Sequence, residues 1–550
     1  MSVKNSKSSS PFFGFFIAII LLIIAPVIYF NLFFTDTRIF LLNSVAAFCL
    51  FLLPIFFFRN KLKLYAWFLL PVILLGTLNL ACIVFYKMPI TDGIIIVTIN
   101  TNRYEFLELI RGFLFSFLLM SFAYILVYFL FLKRVPTSIP FKNGVAISAT
   151  SFLIILSLPL FDKADLGYAR NLRARYYSIY PISFIYSANV VYKQFQLMNE
   201  SAPIRNQFKF NATQQKKIEE QQIYVLIIGE SNRRDHWGLF GYHRNTTPKL
   251  AQQKNLIPFN NINTVGYLTE FAVPVIFTGV DPANFMNHTK QKSIISVFKE
   301  SGFKTYWISN QTDFGHISIH AGEADHQYIF LLDEKRAIKN INDDVELLRP
   351  FNEIINQPGG KKFIVVKLQG SHYDYSKRYS DQFDIFKPSN KTIPTAANDH
   401  NNKNIIINTY DNTILNTDMV IDSLINMVNS KNAVSSVYYI SDHGEDLFDD
   451  NRNLSQHAAT TPSKYIAPIP LTIWYSEQLK NKLPEKIEYL INNKHKKASS
   501  MNLFYTITDM CGIQYPGFDS SKSLSNLAFK EKPRFIIGGN LTIFNSDSLK

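Results

Sequence analysis

Hydrophobic residues are concentrated in the first 161 residues, in five long runs without a charged side chain. These runs cover residues 12–34, 39–58, 64–86, 112–132 and 144–161. Each run is long enough to cross about 30 Å of hydrocarbon as an α-helix. A cleaved signal peptide would explain only the first run, which has no clear small-residue cleavage site. The pattern predicts a five-helix transmembrane domain over residues 1–161.

If the predicted helices alternate in direction, the positive charges that flank these runs all lie on the same side of the membrane. The flanking clusters are Lys4 and Lys7, then Arg59, Lys61 and Lys63, and then Lys133, Arg134 and Lys142. Lysine and arginine mark the cytoplasmic side of a membrane protein. Because the number of crossings is odd, the sequence predicts that everything after residue 161 lies outside.

Two segments on the outer side are candidates for contact with lipid. Residues 87–111 form a loop in which Thr101, Glu105 and Glu108 are spaced to share one face of a helix. A polar cap on a membrane helix is the simpler interpretation of that face, and contact with the membrane interface is the alternative. Residues 162–222 begin with arginines among tyrosines, which is typical of helices in the headgroup layer, and end in a polar linker.

From residue 223 to residue 550 the pattern changes to short apolar runs separated by helical stretches. The β-type runs cover residues 223–229, 303–309, 362–369, 434–441 and 469–476. Nearly continuous apolar strands that alternate with helices indicate a mostly parallel sheet covered on both faces. In such a sheet, polar chemistry collects beyond the carboxyl ends of the strands.

Metal-ligand residue types follow three of the predicted strands. Glu230 follows the first strand, His372 follows the third, and Asp442 and His443 follow the fourth, with His457 further along the chain. Each residue alone is more often a turn or cap residue, but together they would converge on one edge of the sheet. Oxygen and nitrogen ligands without cysteine suit zinc or manganese in a catalytic site.

The segment 263–279 supplies three candidate nucleophiles, Thr264, Thr269 and Thr278. Thr269 precedes an apolar stretch that can open a helix, so one interpretation is a simple N-cap. The same position also suits phosphoryl chemistry, because the amides of a helix N-terminus attract phosphate and a nearby divalent metal makes a hydroxyl acidic. Spacing alone leaves both interpretations open.

Composition narrows the class of protein further. A mean hydropathy of +0.04 excludes a largely disordered chain, and three cysteines exclude both a disulfide scaffold and a cysteine-built zinc module. The formal net charge of +14 indicates acidic partners such as anionic lipid or nucleic acid. Nucleic-acid binding is disfavoured because the positive residues are divided between membrane flanks and the outer domain.

Three motifs connect these features to a known family. They are IIGESNRRDHWGLFGYHRNTTPKL (227–250), TEFAVP (269–274) and SDHGE (441–445). With them, nearly the whole chain resembles the membrane-bound phosphoethanolamine transferases of Gram-negative bacteria. The resemblance implies an N-terminal five-helix transmembrane domain and a C-terminal α/β domain of the sulfatase/alkaline-phosphatase type. It places the protein in the bacterial inner membrane, with the catalytic domain in the periplasm.

The resemblance also implies roles for the strand-end residues. Glu230, Asp442 and His443 would bind a catalytic zinc, and Thr269 would be its fourth ligand and the nucleophile. Thr269 stands five residues before Pro274, as the family's threonine stands before its proline. One zinc is expected in preference to manganese, and a second zinc is left open.

Further site residues follow from the same comparison. His372 and His457 match histidines that handle the phosphoethanolamine group or a second zinc. Thr101 and Glu105 match a family pair thought to contact the lipid substrate.

Two departures from the family pattern bear on the acceptor. The lipid A-modifying branch has disulfides around its site, whereas the outer domain here contains only Cys511. The family's substrate-binding lysine has no clear match in residues 307–316, where Asn310 or His316 is the candidate substitute. The sequence is closer to the disulfide-poor branches that act on core oligosaccharide or other periplasmic glycans.

The expected reaction is transfer of phosphoethanolamine from phosphatidylethanolamine to lipopolysaccharide core, lipid A or another envelope glycan, by a monomer. One alternative is a phosphoglycerol transferase of the lipoteichoic acid synthase type, and another is a non-catalytic membrane protein with a degenerate domain. A sulfatase activity is disfavoured because TEFAVP lacks the Cys/Ser-x-Pro-x-Arg motif from which formylglycine is made.

Overall fold

The computed structural model describes residues 10–34, 37–86, 88–100, 114–161, 176–177, 179–215, 218–311, 315–330, 343–457 and 461–549. The chain divides into two compact units. The first comprises Met1–Ile95 and Phe113–Val191, and the second comprises Ile96–Gly112 and Tyr192–Lys550. Each unit is described separately.

The described part of the first unit is helical. Its helices are α1 (Ser10–Phe34), α2 (Thr37–Leu52), α3 (Ile55–Phe58), α4 (Leu62–Phe68), α5 (Leu70–Tyr86), α6 (Asp92–Asn100, which continues into the second unit), α7 (Leu114–Leu132) and α8 (Phe141–Ser157). Within the described residues, four stretches are long and apolar enough to cross a membrane, namely Phe13–Leu32, Ile39–Phe58, Leu114–Leu132 and Phe141–Phe161. The prediction of an apolar helical N-terminal domain is confirmed.

The third predicted span differs from expectation, because it is two helices, α4 and α5, that meet at an angle of 41°. Counted as one span, the pair brings the number in the described residues to five. Pro71 lies at the second position of α5. Its ring lacks an N–H and clashes with the carbonyl four residues earlier, so a continuous helix is disfavoured there. Residue periodicity alone did not predict this break.

The second unit contains short strands and the helices between them. The strands are β1 (Thr213–Gln214), β2 (Gln222–Gly229), β3 (Leu256–Phe259), β4 (Ile262–Asn263), β5 (Lys304–Ser309), β6 (His326–Ile329), β7 (Lys361–Lys367), β8 (Val434–Ser441), β9 (Asp446–Leu447), β10 (Ser455–Gln456), β11 (Leu471–Tyr475), β12 (Ala498–Ser499), β13 (Ile513–Gln514), β14 (Phe535–Ile537) and β15 (Ile543–Asn545). The helices are α9 (Ile182–Gln207), which begins in the first unit, α10 (Thr269–Thr278), α11 (Ile294–Glu300), α12 (Gly315–Ala321), α13 (Leu348–Asn356), α14 (Lys403–Asn429), α15 (Glu477–Lys482), α16 (Pro484–Asn493) and α17 (Asn502–Met510).

Among the described residues, seven of the strands form the central sheet, in the order β3-β11-β8-β2-β7-β5-β6. All five predicted strands are present in it, and β3 and β6 are added at its edges. Strand β11 pairs antiparallel with β8 and β3, and the other neighbours are parallel. The predicted mostly parallel sheet is therefore confirmed.

Alternation along the strands builds a hydrophobic layer on each face of the sheet. Phe363 and Val365 of β7 belong to the cluster that includes Val273 of α10, while Ile364 belongs to the cluster that includes Ile421 of α14. The register pairs Gly229 with Ser441, and Ile228 with Lys367. Strands β2, β7 and β8 consequently end side by side, and the loops that follow them meet at one edge.

Candidate active site

Glu230, Asp442 and His443 come together at this edge and are all buried. His443 Nε2 lies 3.5 Å from Glu230 Oε1 and 3.4 Å from Asp442 Oδ2. One ligand atom from each side chain lies within 4.8 Å of the other two, which is the spacing of a site that can hold a metal ion. Parallel pairing of β2 with β8 explains why residues 212 positions apart converge.

Backbone contacts orient the ligand atoms of this cluster. Asp442 Oδ1 accepts hydrogen bonds from the amides of Ser231 at 3.0 Å and His443 at 2.7 Å. Ser231, the donor of the first of these bonds, has a positive φ of 58°. His443 Nδ1 donates to the carbonyl of Gly444 at 2.9 Å, which leaves the lone pair of Nε2 facing the cluster.

Thr269 is the first residue of α10, and its hydroxyl enters the same cluster. Thr269 Oγ1 lies 3.2 Å from Glu230 Oε2, to which it donates, and 3.3 Å from His443 Nε2. The N-cap position belongs to Leu268, so the N-cap interpretation of Thr269 is wrong. The hydroxyl consequently stands beside both the ligand atoms and the amides of a helix N-terminus, which attract phosphate.

The hydroxyls of the other two candidate threonines bond to backbone carbonyls. Thr264 Oγ1 donates to the carbonyls of Gly266 and Asp442. Thr278 lies at the far end of α10 and donates to the carbonyl of Pro274 at 2.6 Å. Their hydroxyls are engaged by backbone carbonyls, so Thr269 is the nucleophile candidate that the structure favours.

The buried charges perturb one another strongly. Burial alone raises the pKa of Glu230, but the surrounding histidines and Lys367 outweigh burial and hold that pKa below its usual range. Burial, together with the charge of Glu230, raises the pKa of Asp442 to about 7. Burial lowers the pKa of His443, but the charges of Asp442 and Glu230 outweigh burial and raise it. Two neighbouring buried carboxylates of this kind favour binding of a cation between them.

His457 and His372 lie around the cluster, as the sequence predicts. The rings of His457 and His443 have centroids 4.1 Å apart, and His457 Nδ1 lies 2.8 Å from Glu445 Oε2. His443, Glu445 and His457 form a second group with metal-ligand spacing. His372 Nδ1 contacts the carbonyl of Tyr373 at 2.7 Å, and the charge of His372 lowers the pKa of Glu230.

The two candidate substitutes for the family's lysine lie in polar networks of their own. Asn310 donates from its amide to Asp344 Oδ1 at 2.9 Å. His316 Nδ1 lies 2.9 Å from His288 Nε2, and burial lowers the pKa of His316 to about 3. Their predicted role in substrate binding stays a prediction. Thr101 and Glu105 lie outside the described residues, so their role also stays a prediction.

Three residues of this site were assigned no role from the sequence, namely Gln311, Lys367 and Glu445. Gln311 Nε2 donates to Glu230 Oε2 at 3.1 Å, and Lys367 donates to Gln311 Oε1. Glu445 lies within the SDHGE motif, which was a usable signal. Gln311 and Lys367 carried only their position after or at the end of a predicted strand, which is a weak signal.

The donor set fits a divalent metal of the zinc type. Asp442 Oδ2 is buried, and none of the described residues donates a hydrogen bond to it. Two carboxylates, one imidazole nitrogen and one hydroxyl can make a four-coordinate site without cysteine. A cation at these atoms would compensate the buried charge of the two carboxylates.

Comparison with known proteins agrees with this architecture. The sulfatase family model matches residues 222–513, more than half of the chain, so the chain belongs to the sulfatase family. Phosphoethanolamine transferase EptC of Escherichia coli (strain K12) is 29% identical over 516 residues, which cover 88% of this chain and 86% of the relative. The predicted resemblance to the phosphoethanolamine transferases is thereby confirmed.

Two solved structures extend the comparison. The zinc complex of the C-terminal periplasmic domain of EcEptC from Escherichia coli is 29% identical, with a TM-score of 0.56, and the match covers 62% of this chain and 96% of that one. Lipooligosaccharide phosphoethanolamine transferase A (EptA) from Neisseria meningitidis, an integral membrane protein, is 22% identical with a TM-score of 0.74. That match covers 94% of this chain and 99% of that one, and it shows a shared fold over nearly the full length.

Proposed function

We propose that this protein transfers phosphoethanolamine from phosphatidylethanolamine to an acceptor hydroxyl on an envelope glycan or glycolipid, such as lipopolysaccharide core or lipid A. The observation that carries this proposal is the Thr269 hydroxyl, held at the N-terminus of α10 within hydrogen-bonding distance of Glu230 and His443. The relative named phosphoethanolamine transferase supports the choice of transferred group.

In this proposal one zinc ion is held by Glu230, Asp442, His443 and Thr269. The choice of zinc is supported by the EcEptC periplasmic domain, which was solved as a zinc complex. A zinc ion at these atoms supplies positive charge that makes the threonine hydroxyl acidic and stabilises phosphoryl oxygens. His443, Glu445 and His457 are the residues that could hold a second ion.

The residues of the chain would act in two displacements. Thr269 Oγ attacks phosphorus as it loses its proton, and the bond from phosphorus to the diacylglycerol oxygen breaks. That oxygen takes a proton and diacylglycerol leaves, while phosphoethanolamine remains on Thr269. An acceptor hydroxyl then attacks the same phosphorus, gives up its proton, and releases Thr269.

The remaining roles follow from position around the nucleophile. His457, whose side chain is 20% exposed, and His372 would orient the transferred group and exchange protons. Amides at the N-terminus of α10 would stabilise charge on the phosphoryl oxygens. Thr101 and Glu105 would contact the lipid donor.

We further propose that the apolar helices of residues 1–161 anchor the protein in the bacterial inner membrane. Residues 162–222 would form helices at the headgroup layer followed by a linker, and residues 223–550 would form the periplasmic catalytic domain of a monomer. The helices that can cross a membrane and the integral-membrane neighbour support this placement.

Incubation of the purified full chain with fluorescent phosphatidylethanolamine tests the proposal. We expect release of diacylglycerol and a mass gain of one phosphoethanolamine on Thr269 when the acceptor is withheld. Parallel incubation with fluorescent phosphatidylglycerol separates this activity from that of a phosphoglycerol transferase. Turnover of phosphatidylglycerol alone would contradict the donor, and less than about one equivalent of bound zinc with no turnover of either lipid would indicate a non-catalytic protein.

Mass spectrometry of lipopolysaccharide and periplasmic glycans from cells with and without the gene locates the acceptor. A mass gain of one phosphoethanolamine on core oligosaccharide is expected from the scarcity of cysteine in the outer domain. The same gain on lipid A would correct that assignment.

A further inference from the structure

Lys367, the last residue of β7, is a buried ammonium group beside the candidate active site. Lys367 as a whole is only 2% exposed. Alternation along β7 puts it on the same face as Phe363 and Val365, which pack in the layer that contains α10. Burying a charged lysine is unfavourable unless the group is paired. Its contacts therefore indicate why a lysine stands here.

The ammonium group of Lys367 donates to the side-chain oxygen of Gln311, which follows β5. Lysine is only a donor, so the amide oxygen of Gln311 has to face it. The NH₂ group of Gln311 then faces the opposite way, where it donates to Glu230 Oε2 and to the carbonyl of Leu368, both at 3.1 Å. Lys367 thereby fixes which end of the Gln311 amide meets Glu230.

Glu230 Oε2 is also the oxygen that accepts from Thr269, at 3.2 Å. The other oxygen, Oε1, accepts from Ser231 Oγ at 2.8 Å and lies 3.5 Å from His443 Nε2. The two oxygens of Glu230 are thus distinguished by their donors. The Gln311 amide holds Oε2 in place, on the side of the nucleophile.

We propose that Lys367 is a positioning residue that acts through Gln311 to orient the Glu230 carboxylate for the metal and for Thr269. This inference rests on the proposed function and deepens it. The relay also places one positive charge two hydrogen bonds away from the Glu230 carboxylate. Groups that orient a metal ligand typically change metal affinity or activity by about 10–100-fold when they are removed.

A double-mutant cycle on the full-length protein tests the relay. The variants are Lys367→Met, Gln311→Leu and the double variant. The measurements are the zinc dissociation constant, by competition with a chelator, and kcat and KM for fluorescent phosphatidylethanolamine. We expect each single variant to weaken zinc binding and to lower kcat by about 10–100-fold, with KM little changed. If Lys367 acts through Gln311, the double variant is no worse than the more damaged single variant.

Lys362 provides a matched control on the same strand. It is 1% exposed and lies at the opposite end of β7, where its ammonium donates to the carbonyls of Gln357 at 2.6 Å and Gly359 at 3.3 Å. Lys362→Met removes an equally buried charge, so it reports the general cost to stability. We expect its zinc affinity and kcat to match those of the unmodified protein.

Lys367→Gln guards against a variant that fails to fold. It removes the charge but keeps an NH₂ donor for Gln311, so zinc affinity should recover relative to Lys367→Met. Additive losses in the double variant, or unchanged zinc affinity in Lys367→Met, would overturn the proposal. Failure of the unmodified protein to turn over phosphatidylethanolamine would instead count against the proposed function, because the zinc measurements do not depend on that lipid.

Discussion

Two groups of metal-ligand side chains share His443. They differ in whether their carboxylate oxygens already accept hydrogen bonds from the protein. The first group, completed by Glu230 and Asp442, is wholly buried. The second is completed by Glu445 and by His457, whose side chain is 20% exposed. The residue types are alike, so the difference lies in their partners.

In the second group the side chains satisfy one another. Glu445 Oε2 accepts from His457 Nδ1 at 2.8 Å, and Glu445 Oε1 accepts from Tyr375. In the first group, by contrast, no described residue donates to Asp442 Oδ2. A metal ion at the first group meets a carboxylate oxygen that has no donor among the described residues, whereas both oxygens of Glu445 in the second group already accept a hydrogen bond. We therefore expect the first group to bind zinc more tightly.

The largest expected effect on activity comes from removal of the candidate nucleophile, the Thr269 hydroxyl. Thr269→Ala should lower diacylglycerol release from phosphatidylethanolamine by about 10³-fold or more, because no other hydroxyl replaces the attacking group. Thr278→Ala at the other end of α10 is the control and should retain activity, since Thr278 donates only within its own helix. Undiminished release by Thr269→Ala would refute the covalent route.

The second-largest effect, on bound zinc and kcat, distinguishes the two groups of metal-ligand side chains. Asp442→Asn should reduce bound zinc below one equivalent and lower kcat by about 10²-fold, because a neutral amide is a poor ligand. Glu445→Gln should keep one equivalent of tightly bound zinc. Metal analysis after dialysis against a weak chelator checks both variants. If Glu445→Gln loses its zinc while Asp442→Asn keeps it, the ranking of the two groups is wrong.

The residues of the first group could be predicted because parallel strands end at one edge, so strand-end residues converge whatever their separation in sequence. The convergence of Glu230, Asp442 and His443 follows from that rule, whereas their selection as zinc ligands follows from the family resemblance. The relay of Gln311 and Lys367 could not be predicted from the sequence. It depends on the register between β5 and β7 and on the direction of the Gln311 side-chain amide. The pattern of residues predicts strands but does not give their register.

The membrane helices show the same limit on a larger scale. Apolar length predicted the spans, because crossing hydrocarbon requires little beyond length and apolarity. The bend between α4 and α5 depends on a single proline within the third run, and a hydropathy average does not register it.

A smaller effect is expected from the second group itself. His457→Asn should lower kcat/KM by about 10-fold, the low end of the range for a group beside a metal ligand, because His457 lies beside His443 and bonds to Glu445. The zinc content should stay at one equivalent, because the first group is intact. Steady-state kinetics with metal analysis on the same sample checks this. A loss as large as that of Thr269→Ala would show that the second group is as essential as the first.

The smallest effect is on stability, and it tests directly whether the first group needs a cation. In metal-free protein, Glu230 and Asp442 are neighbouring buried carboxylates, and burial with the charge of Glu230 raises the pKa of Asp442 to about 7. Asp442→Asn removes that repulsion, so the metal-free variant should melt at or slightly above the temperature of metal-free unmodified protein. Added zinc at 100 times its dissociation constant should stabilise the unmodified protein by about 2.7 kcal/mol, and the variant much less. Thermal melts with and without zinc measure both shifts. If the metal-free variant melts well below the unmodified protein, the buried carboxylate stabilises the fold without a metal, and the contrast between the two groups fails.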